Sequence, residues 1–228
     1  MSHPQHMCVS TVPIFNHLDK DTLRLIHEQI THQSYERGEY LFRAGDPSNV
    51  LYIIHRGMVK ITRLTSSGKE QVIRMVGPGD FIGERTLFNE AGTHDNYAEV
   101  ITKAEICVLQ GDDFAQLLSD YPAVALRILG EVSQRLADSE RQTTYVSTAQ
   151  VGSRLALYLA DLAGEAEGEV TVTLPITRKD LASYLGTTPE SISRKFKKLE
   201  DQGYITQQKG REILIHNVDE LLFYNEDV

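Results

Sequence analysis

The sequence predicts an α+β chain in two parts: a β-roll of the jelly-roll kind, then a long helix leading into a winged helix-turn-helix. Three observations carry that prediction. Residues 33–110 hold short β-rich runs cut by Gly38, Gly45, Gly57, Gly68, Gly77, Gly79, Gly83 and Gly92, the mark of a roll or sandwich. Residues 125–146 repeat an apolar seam in alternating steps of four and three. Residues 173–203 spell out two short capped helices around a tight turn. At 228 residues the chain has length for two domains, each with its own core.

Residues 1–17 read as a flexible polar arm. His3, His6 and Cys8 stand there as His-x-x-His-x-Cys, but three potential ligands in an arm do not make a metal site, and none is expected. In residues 19–30, Leu23, Ile26 and Ile30 fall on one helical face. The roll is expected over residues 18–120, with strands at 40–42, 50–54, 58–64, 71–76 and 98–109 and a turn at each glycine, Gly57 included. A roll of this kind can also house a cupin-type metal enzyme, which needs clustered histidines. The eight histidines never form His-x-His, and His55 and His94 stand alone. No Ser-His-Asp or Cys-His arrangement stands out either, so an enzyme is the remote alternative.

Residues 111–119 predict a brief helix, and residues 121–146 a long one carrying Ala125, Leu129, Val132, Leu136, Ser139, Thr143 and Val146 on its seam. That stripe could bury against its own domain or against a second copy of the chain. Ser139 and Thr143 make its C-terminal half polar and weak, a place where an effector would tip the helix between two arrangements. Residues 147–228 form the last domain. Val151, Leu155, Leu159 and Leu162 mark a helix over 149–163, and strands are expected at 170–174, 204–205 and 213–215. Lys209, Gly210 and Arg211 sit at a hairpin tip, where the two cations suit phosphates. The acidic tail after Asp219 carries no motif.

Within that domain Thr177 is expected to cap one helix, with Asp180 completing a capping box. Leu181 and Leu185 face inward, and Gly186 lets the chain leave in a left-handed conformation. Thr188 caps the second helix and Pro189 occupies its first turn. Ile192, Phe196 and Leu199 form its buried stripe, and Glu190, Ser193, Arg194 and Lys197 line the opposite face. Such a face suits the DNA major groove. Arg194 can fork onto guanine O6 and N7, Glu190 can accept from a cytosine amine, and Ser193 can reach a base or a phosphate. Lys197 is better placed for phosphate. Thr188 joins these residues in the expected contact set.

The formal charge of −9 excludes a globally basic nucleic-acid binder. Residues 170–212, however, hold eight Lys/Arg against five acids, so the basic footprint is local. No run of about eighteen apolar residues exists and the polar N-terminus lacks a signal core. The sequence therefore predicts a soluble, cytoplasmic protein without membrane contact.

Residues 189–205, PESISRKFKKLEDQGYI, resemble the recognition helix of the CRP/FNR family of bacterial transcription regulators. Glu190-x-x-Ser193-Arg194 matches the pattern of the FNR branch; the cyclic-AMP receptor branch has Gly in place of Ser193 and Arg in place of Pro189. In the roll, the order G-E-Y-L-F-x-A-G-D, L-Y-I-I-x-x-G-x-V-K-I, G-P-G-D-F-I-G-E resembles the family's cyclic-nucleotide-binding sensor domain. The resemblance spans about residues 15–219. It implies a homodimer joined along the long helix and a TTGA-type half-site repeated as a palindrome, with reading heads about 34 Å apart. It also implies RNA polymerase as a partner, for which the loop 85–94 is only a location. Gly83-Glu84 matches the position that meets the ribose hydroxyl. The family's cationic phosphate-binding segment is replaced by Asp95-Asn96-Tyr97-Ala98. An acid there repels a cyclic phosphate, so cyclic AMP is not expected as a cofactor.

Cys107 lies on the strand that, in FNR, carries the one iron–sulfur ligand outside the N-terminal arm. This chain has Cys8 alone in its arm, and two thiolates cannot hold a four-ligand cluster, so no iron–sulfur cofactor is expected. One arm cysteine and one roll cysteine instead resemble the FNR-like proteins (FLP) of lactic-acid bacteria and relatives, which implies a thiol–disulfide switch between Cys8 and Cys107. Such a bond would close a loop of about 100 residues, worth up to roughly 4–5 kcal/mol in the chain-entropy model. Sequence spacing does not give the distance between them. A buried inert Cys107 beside an incidental Cys8, with gating by a small molecule or metal in the roll, stands as the alternative.

Overall fold

The computed structural model describes residues 12–66, 68–88 and 92–226, with backbone alone at 142 and 145–148. The chain divides into two compact units at Leu136/Ala137.

In the first unit, α1 (Lys20–Glu28) starts where Asp19 accepts from the Asp21 and Thr22 backbone N–H groups, satisfying two of the helix's orphan donors. Leu23 and Ile26 point inward, as their spacing predicts. The arm ends sooner than expected. Val12, Ile14 and Phe15 are fully buried and share one core with Leu23, Ile26, Leu109 and Phe114. Burying such side chains gains about 1.5–3 kcal/mol each, which outweighs the polarity of the residues around them.

The roll is one six-stranded antiparallel sheet of β1 (Thr31–Tyr35), β2 (Tyr40–Phe42), β3 (Val50–Leu64), β4 (Glu70–Val76), β5 (Phe81–Ile82) and β6 (Tyr97–Gln110). Its main path runs β1-β6-β3-β4, with β2 on β6 and β5 on β3. Leu41, Ile54, Val59, Val76, Val100 and Ile106 fill the roll's interior. A short α2 (Glu84–Leu87) follows β5, and the opposite face, with Leu51, Ile53, Phe81 and Cys107, lies under α1, α3 (Gly111–Asp120) and the start of α4 (Pro122–Thr148).

Gly57 is not a turn. It sits inside β3, where the register against β6 shifts on both sides of Arg56, so two expected strands are one bulged strand. The local reason is space. Gly57 has φ +88°, and a Cβ there would lie 2.5 Å from the Lys103 carbonyl oxygen, so only glycine allows the two backbones to close up. Strand β1 was not expected either, because Thr31-His32-Gln33-Ser34-Tyr35 shows no apolar alternation; its pairing with β6 holds it.

On α4, Val124 and Ile128 are buried in the unit's own core, whereas Leu126, Leu129, Val132 and Leu136 are exposed. Thr143 is exposed too, its hydroxyl donating to the Ser139 carbonyl at 2.9 Å. The Val146 side chain lies outside the described residues.

The second unit contains α5 (Val151–Ala163), β7 (Val170–Thr173), α6 (Arg178–Tyr184), α7 (Pro189–Asp201), β8 (Ile205–Gln207), β9 (Glu212–Ile215) and α8 (Val218–Leu222). Its sheet runs β7-β9-β8, and Leu155, Leu159, Leu181, Ile192, Phe196 and Leu221 are fully buried. The tail that carried no motif is ordered through α8, which Asn217 caps by accepting from Asp219 and Glu220 N–H. Among the described residues no helix is long and apolar enough to cross a membrane.

Candidate nucleic-acid interface

The two short helices of the second unit form as their caps dictate. Thr177 Oγ1 accepts from the Asp180 N–H at 3.1 Å and donates to its carboxylate at 2.7 Å. Gly186 leaves α6 at φ +66°, and Thr188 Oγ1 accepts from the Ser191 N–H at 3.2 Å to open α7. Ile192, Phe196 and Leu199 are fully buried. The Arg178 guanidinium lies 3.7 Å above the Phe196 ring and donates to Gln207 Oε1 at 2.7 Å. Glu200 accepts both the backbone and side-chain N–H of Gln207 at 2.8 Å. Helices α6 and α7 are thereby tied to the strand that starts the wing.

Thr188, Glu190, Ser193, Arg194 and Lys197 are all exposed. Glu190 is held below the ordinary carboxylate value, first by its own backbone N–H, then by the Thr188 hydroxyl, with a smaller contribution from Arg194. It is therefore an ionised acceptor at the N-terminal end of α7. The Ser193 hydroxyl donates to the Pro189 carbonyl at 2.9 Å, leaving its oxygen to accept. Lys197 pairs with Asp201 at 3.2 Å on the surface, a contact worth little and easily exchanged for phosphate. At the wing tip Lys209 and Arg211 flank Gly210, whose φ is +75°; both cations are exposed, and Arg211 also reaches the Pro175 carbonyl at 3.4 Å.

Sequence counting overstates the basic footprint. Lys195 and Lys198 turn to Glu226, whose side chain is only 4% exposed. Glu226 also accepts from the Gly152 N–H at 2.7 Å at the start of α5, and its own N–H donates to Ser153 Oγ at 3.0 Å. Gly152 is the residue that permits this, since a Cβ would lie 2.4 Å from Glu226 Oε2. Nothing local in the tail sequence signals the contact.

In the first unit a cavity of about 200 Å³ opens in the roll, lined by Phe42, Arg74, Glu84, Arg85, His94 and Asp95 among others. Asp95 is occupied by Arg63 and by Arg85, the latter at 3.1 Å. Glu84 pairs with Arg135 of α4 at 3.4 Å. Arg135 also binds Asp80 and lies 4.0 Å over the Phe81 ring, so it ties the roll's rim to α4. His94 is buried and stacked on Phe42 with ring centroids 3.5 Å apart, and burial pushes its imidazole below the ordinary value.

Cys107 is fully buried and disulfide-bonded, with His32 Nδ1 3.5 Å from its sulfur. Cys8 lies outside the described residues, as do His3 and His6. His55 does not stand alone: its Nε2 is 3.9 Å from Glu105.

Residues 32–121 match the cyclic nucleotide-binding domain, and residues 153–224 the Crp-like helix-turn-helix domain. The chain is 36% identical to a probable transcriptional regulator flp of Lacticaseibacillus casei, over 95% of this chain and 97% of that one. Its fold matches the global regulator CLP of Xanthomonas campestris with a TM-score of 0.74 at 27% identity, covering 87% of this chain and 100% of that one. It also matches FixK2 of Bradyrhizobium japonicum with a TM-score of 0.75 at 23% identity, covering 84% and 95%.

Proposed function

The chain belongs to the CRP/FNR family of transcription regulators, a family of regulators rather than enzymes, and from that premise we propose that it reads a TTGA-like palindrome as a homodimer. The observation that carries this reading is the face of α7, where Glu190, Ser193 and Arg194 stand exposed behind a Thr188 cap. Arg194 and Glu190 read base edges, Thr188 and Ser193 position the helix, and Lys197, Lys209 and Arg211 bind phosphates. The exposed row Leu129, Val132 and Leu136 on α4 supports the dimer, with Thr143 and Val146 as its weaker continuation. RNA polymerase is the natural partner of a regulator working in the cytoplasm.

Gating rests on sulfur in this reading: a Cys8–Cys107 bond forms on oxidation and changes DNA affinity. Its support is that Cys107 is disulfide-bonded and the chain has one other cysteine. The reading takes neither cyclic AMP nor an iron–sulfur cluster as cofactor, supported by Asp95, whose carboxylate, paired with Arg63 and Arg85, stands where a cyclic phosphate would need a cation. A second reading, a small molecule gating the same DNA binding from the roll, is favoured by one observation: His94 Nε2 is buried at the cavity without a hydrogen-bond partner among the described residues.

The test is a gel shift on a TTGA-N6-TCAA duplex with reduced and mildly oxidised protein, beside Cys8→Ser. Affinity that changes with oxidation in the parent protein alone supports the sulfur reading. Equal binding throughout removes it and leaves the roll ligand; no binding to this duplex removes the DNA-site assignment.

A further inference from the structure

His32 stands beside Cys107, and two further histidines, His27 and His55, lie close enough to act on its ring. Strand β1 pairs with β6 so that His32 lies directly opposite Cys107, which puts its Nδ1 3.5 Å from the sulfur. His27 of α1 lies with its ring centroid 5.2 Å from that of His32. His55 of β3 approaches Glu105 of β6 at 3.9 Å, and Arg56 shares that carboxylate at 3.8 Å. Cys107 is fully buried, whereas His32 is exposed. The sulfur is cut off from water, and the ring beside it is not.

We propose that His32 is the proton-coupled counter-ion of Cys107: its ring is neutral while the sulfur is in a disulfide and takes up one proton from solvent when the sulfur is released as a thiolate. The inference rests on the Cys8–Cys107 reading above. The reductant is a low-molecular-weight thiol. Its thiolate attacks the sulfur bonded to Cys107, the S–S bond breaks, and the electron pair stays on the buried Cys107 Sγ. A second small thiolate then attacks the small-molecule sulfur of the mixed disulfide, and the protein's other sulfur leaves and takes up a proton. Two small thiols thus become one small disulfide, and the protein gains two reduced sulfurs. The thiolate left at Cys107 faces Nδ1–H, while the solvent-facing edge of the ring collects the proton. Oxidation runs the same path backwards with a small disulfide as oxidant, and the proton leaves through the ring as Cys107 attacks.

The surroundings suit the oxidised half of this cycle. Partial desolvation on the side facing the protein first, then the neighbouring His27 and His55, lower the His32 imidazole below its ordinary value, and Glu105 opposes them. A thiolate within about 4–6 Å favours the charged ring, so reduction should raise it. A stabilised leaving thiolate also departs faster.

The experiment uses the full chain. The His32 ring resonances are titrated by NMR in the oxidised and reduced states, and the rate of reduction by dithiothreitol is followed against pH. The parent, His32→Gln and Glu105→Gln are compared, with free thiols counted after denaturation. The expected result is an inflection at higher pH in the reduced parent. His32→Gln should slow reduction near neutral pH on the order of tenfold and remove the inflection from the rate profile. Glu105→Gln, which leaves the ring in place, should move the inflection to lower pH. A parent that gains no pair of thiols on reduction overturns the disulfide switch itself. A parent that gains them, with rates and inflections unchanged in both variants, overturns only the role of His32.

Discussion

Leu129→Ala tests whether α4 joins two copies of the chain. In one protomer Leu129 is 61% exposed, whereas Ile128 beside it is 4% exposed and packs into its own core. Burying a leucine side chain fully is worth about 1.5–3 kcal/mol, so covering the exposed share of Leu129 is worth about 1–2 kcal/mol. A two-fold interface uses each residue twice. Allowing for the methyl that alanine keeps, Leu129→Ala should weaken the dimer by about 1.5–3 kcal/mol, roughly ten- to hundredfold in Kd. Sedimentation equilibrium over a range of protein concentrations measures this directly. Ile128→Ala is the control, expected to cost about 2–5 kcal/mol of fold stability while folded protomers keep their Kd. An unchanged Kd in Leu129→Ala refutes the reasoning, because a side chain that covers nothing in the dimer cannot lie in its seam.

Arg194→Ala should cost about 1–3 kcal/mol of DNA affinity and relax discrimination at one guanine position; an equal loss on every duplex in competition binding would make Arg194 a phosphate contact. Lys197→Ala should weaken all duplexes alike and reduce the slope of log K against log salt by about one. Gly57→Ala forces a Cβ to 2.5 Å from the Lys103 oxygen at φ +88° and should lower stability by about 1–3 kcal/mol or more; a melting temperature equal to the parent's would show that β3 and β6 can separate there. Burial pushes the Glu226 carboxyl up, but bonds from Lys195, the Gly152 N–H and Lys198 outweigh it and hold it below its ordinary value. Its contribution is complete above the ordinary carboxylate value and fades as pH falls through the lowered one. Glu226→Gln should therefore lose stability at neutral pH and flatten the acid limb of a melting-temperature profile; a parallel profile would remove Glu226 from that limb.

What the sequence made legible is what short-range chemistry decides. The Thr177 and Thr188 caps, the Gly186 exit and the stripe Ile192, Phe196, Leu199 all depend on neighbours within about one or two helical turns. Structure and sequence agree there. The failures share the opposite property. Gly57 was misread because its neighbours, Lys103 and Ala104, are some 46 residues away. Val12, Ile14 and Phe15 looked like arm because their partners lie on α1, β6 and α3. The placing of His32 opposite Cys107 follows from sheet register, and the anchoring of Glu226 from a contact with α5. No local period or spacing encodes either.

The pairing of Asp95 with Arg63 and Arg85 constrains how this roll could acquire a phosphate ligand over evolution. Replacing Asp95 by arginine would set a third guanidinium beside those of Arg63 and Arg85 and remove the carboxylate that pairs with both. Like charges at that range repel, so the step is harmful unless Arg63 or Arg85 has already been lost. Losing either of them first leaves Asp95 less well neutralised. The substitutions are therefore strongly epistatic. With the triad in place, a single change at Asp95, Arg63 or Arg85 leaves an unbalanced charge behind, whereas paired changes need not.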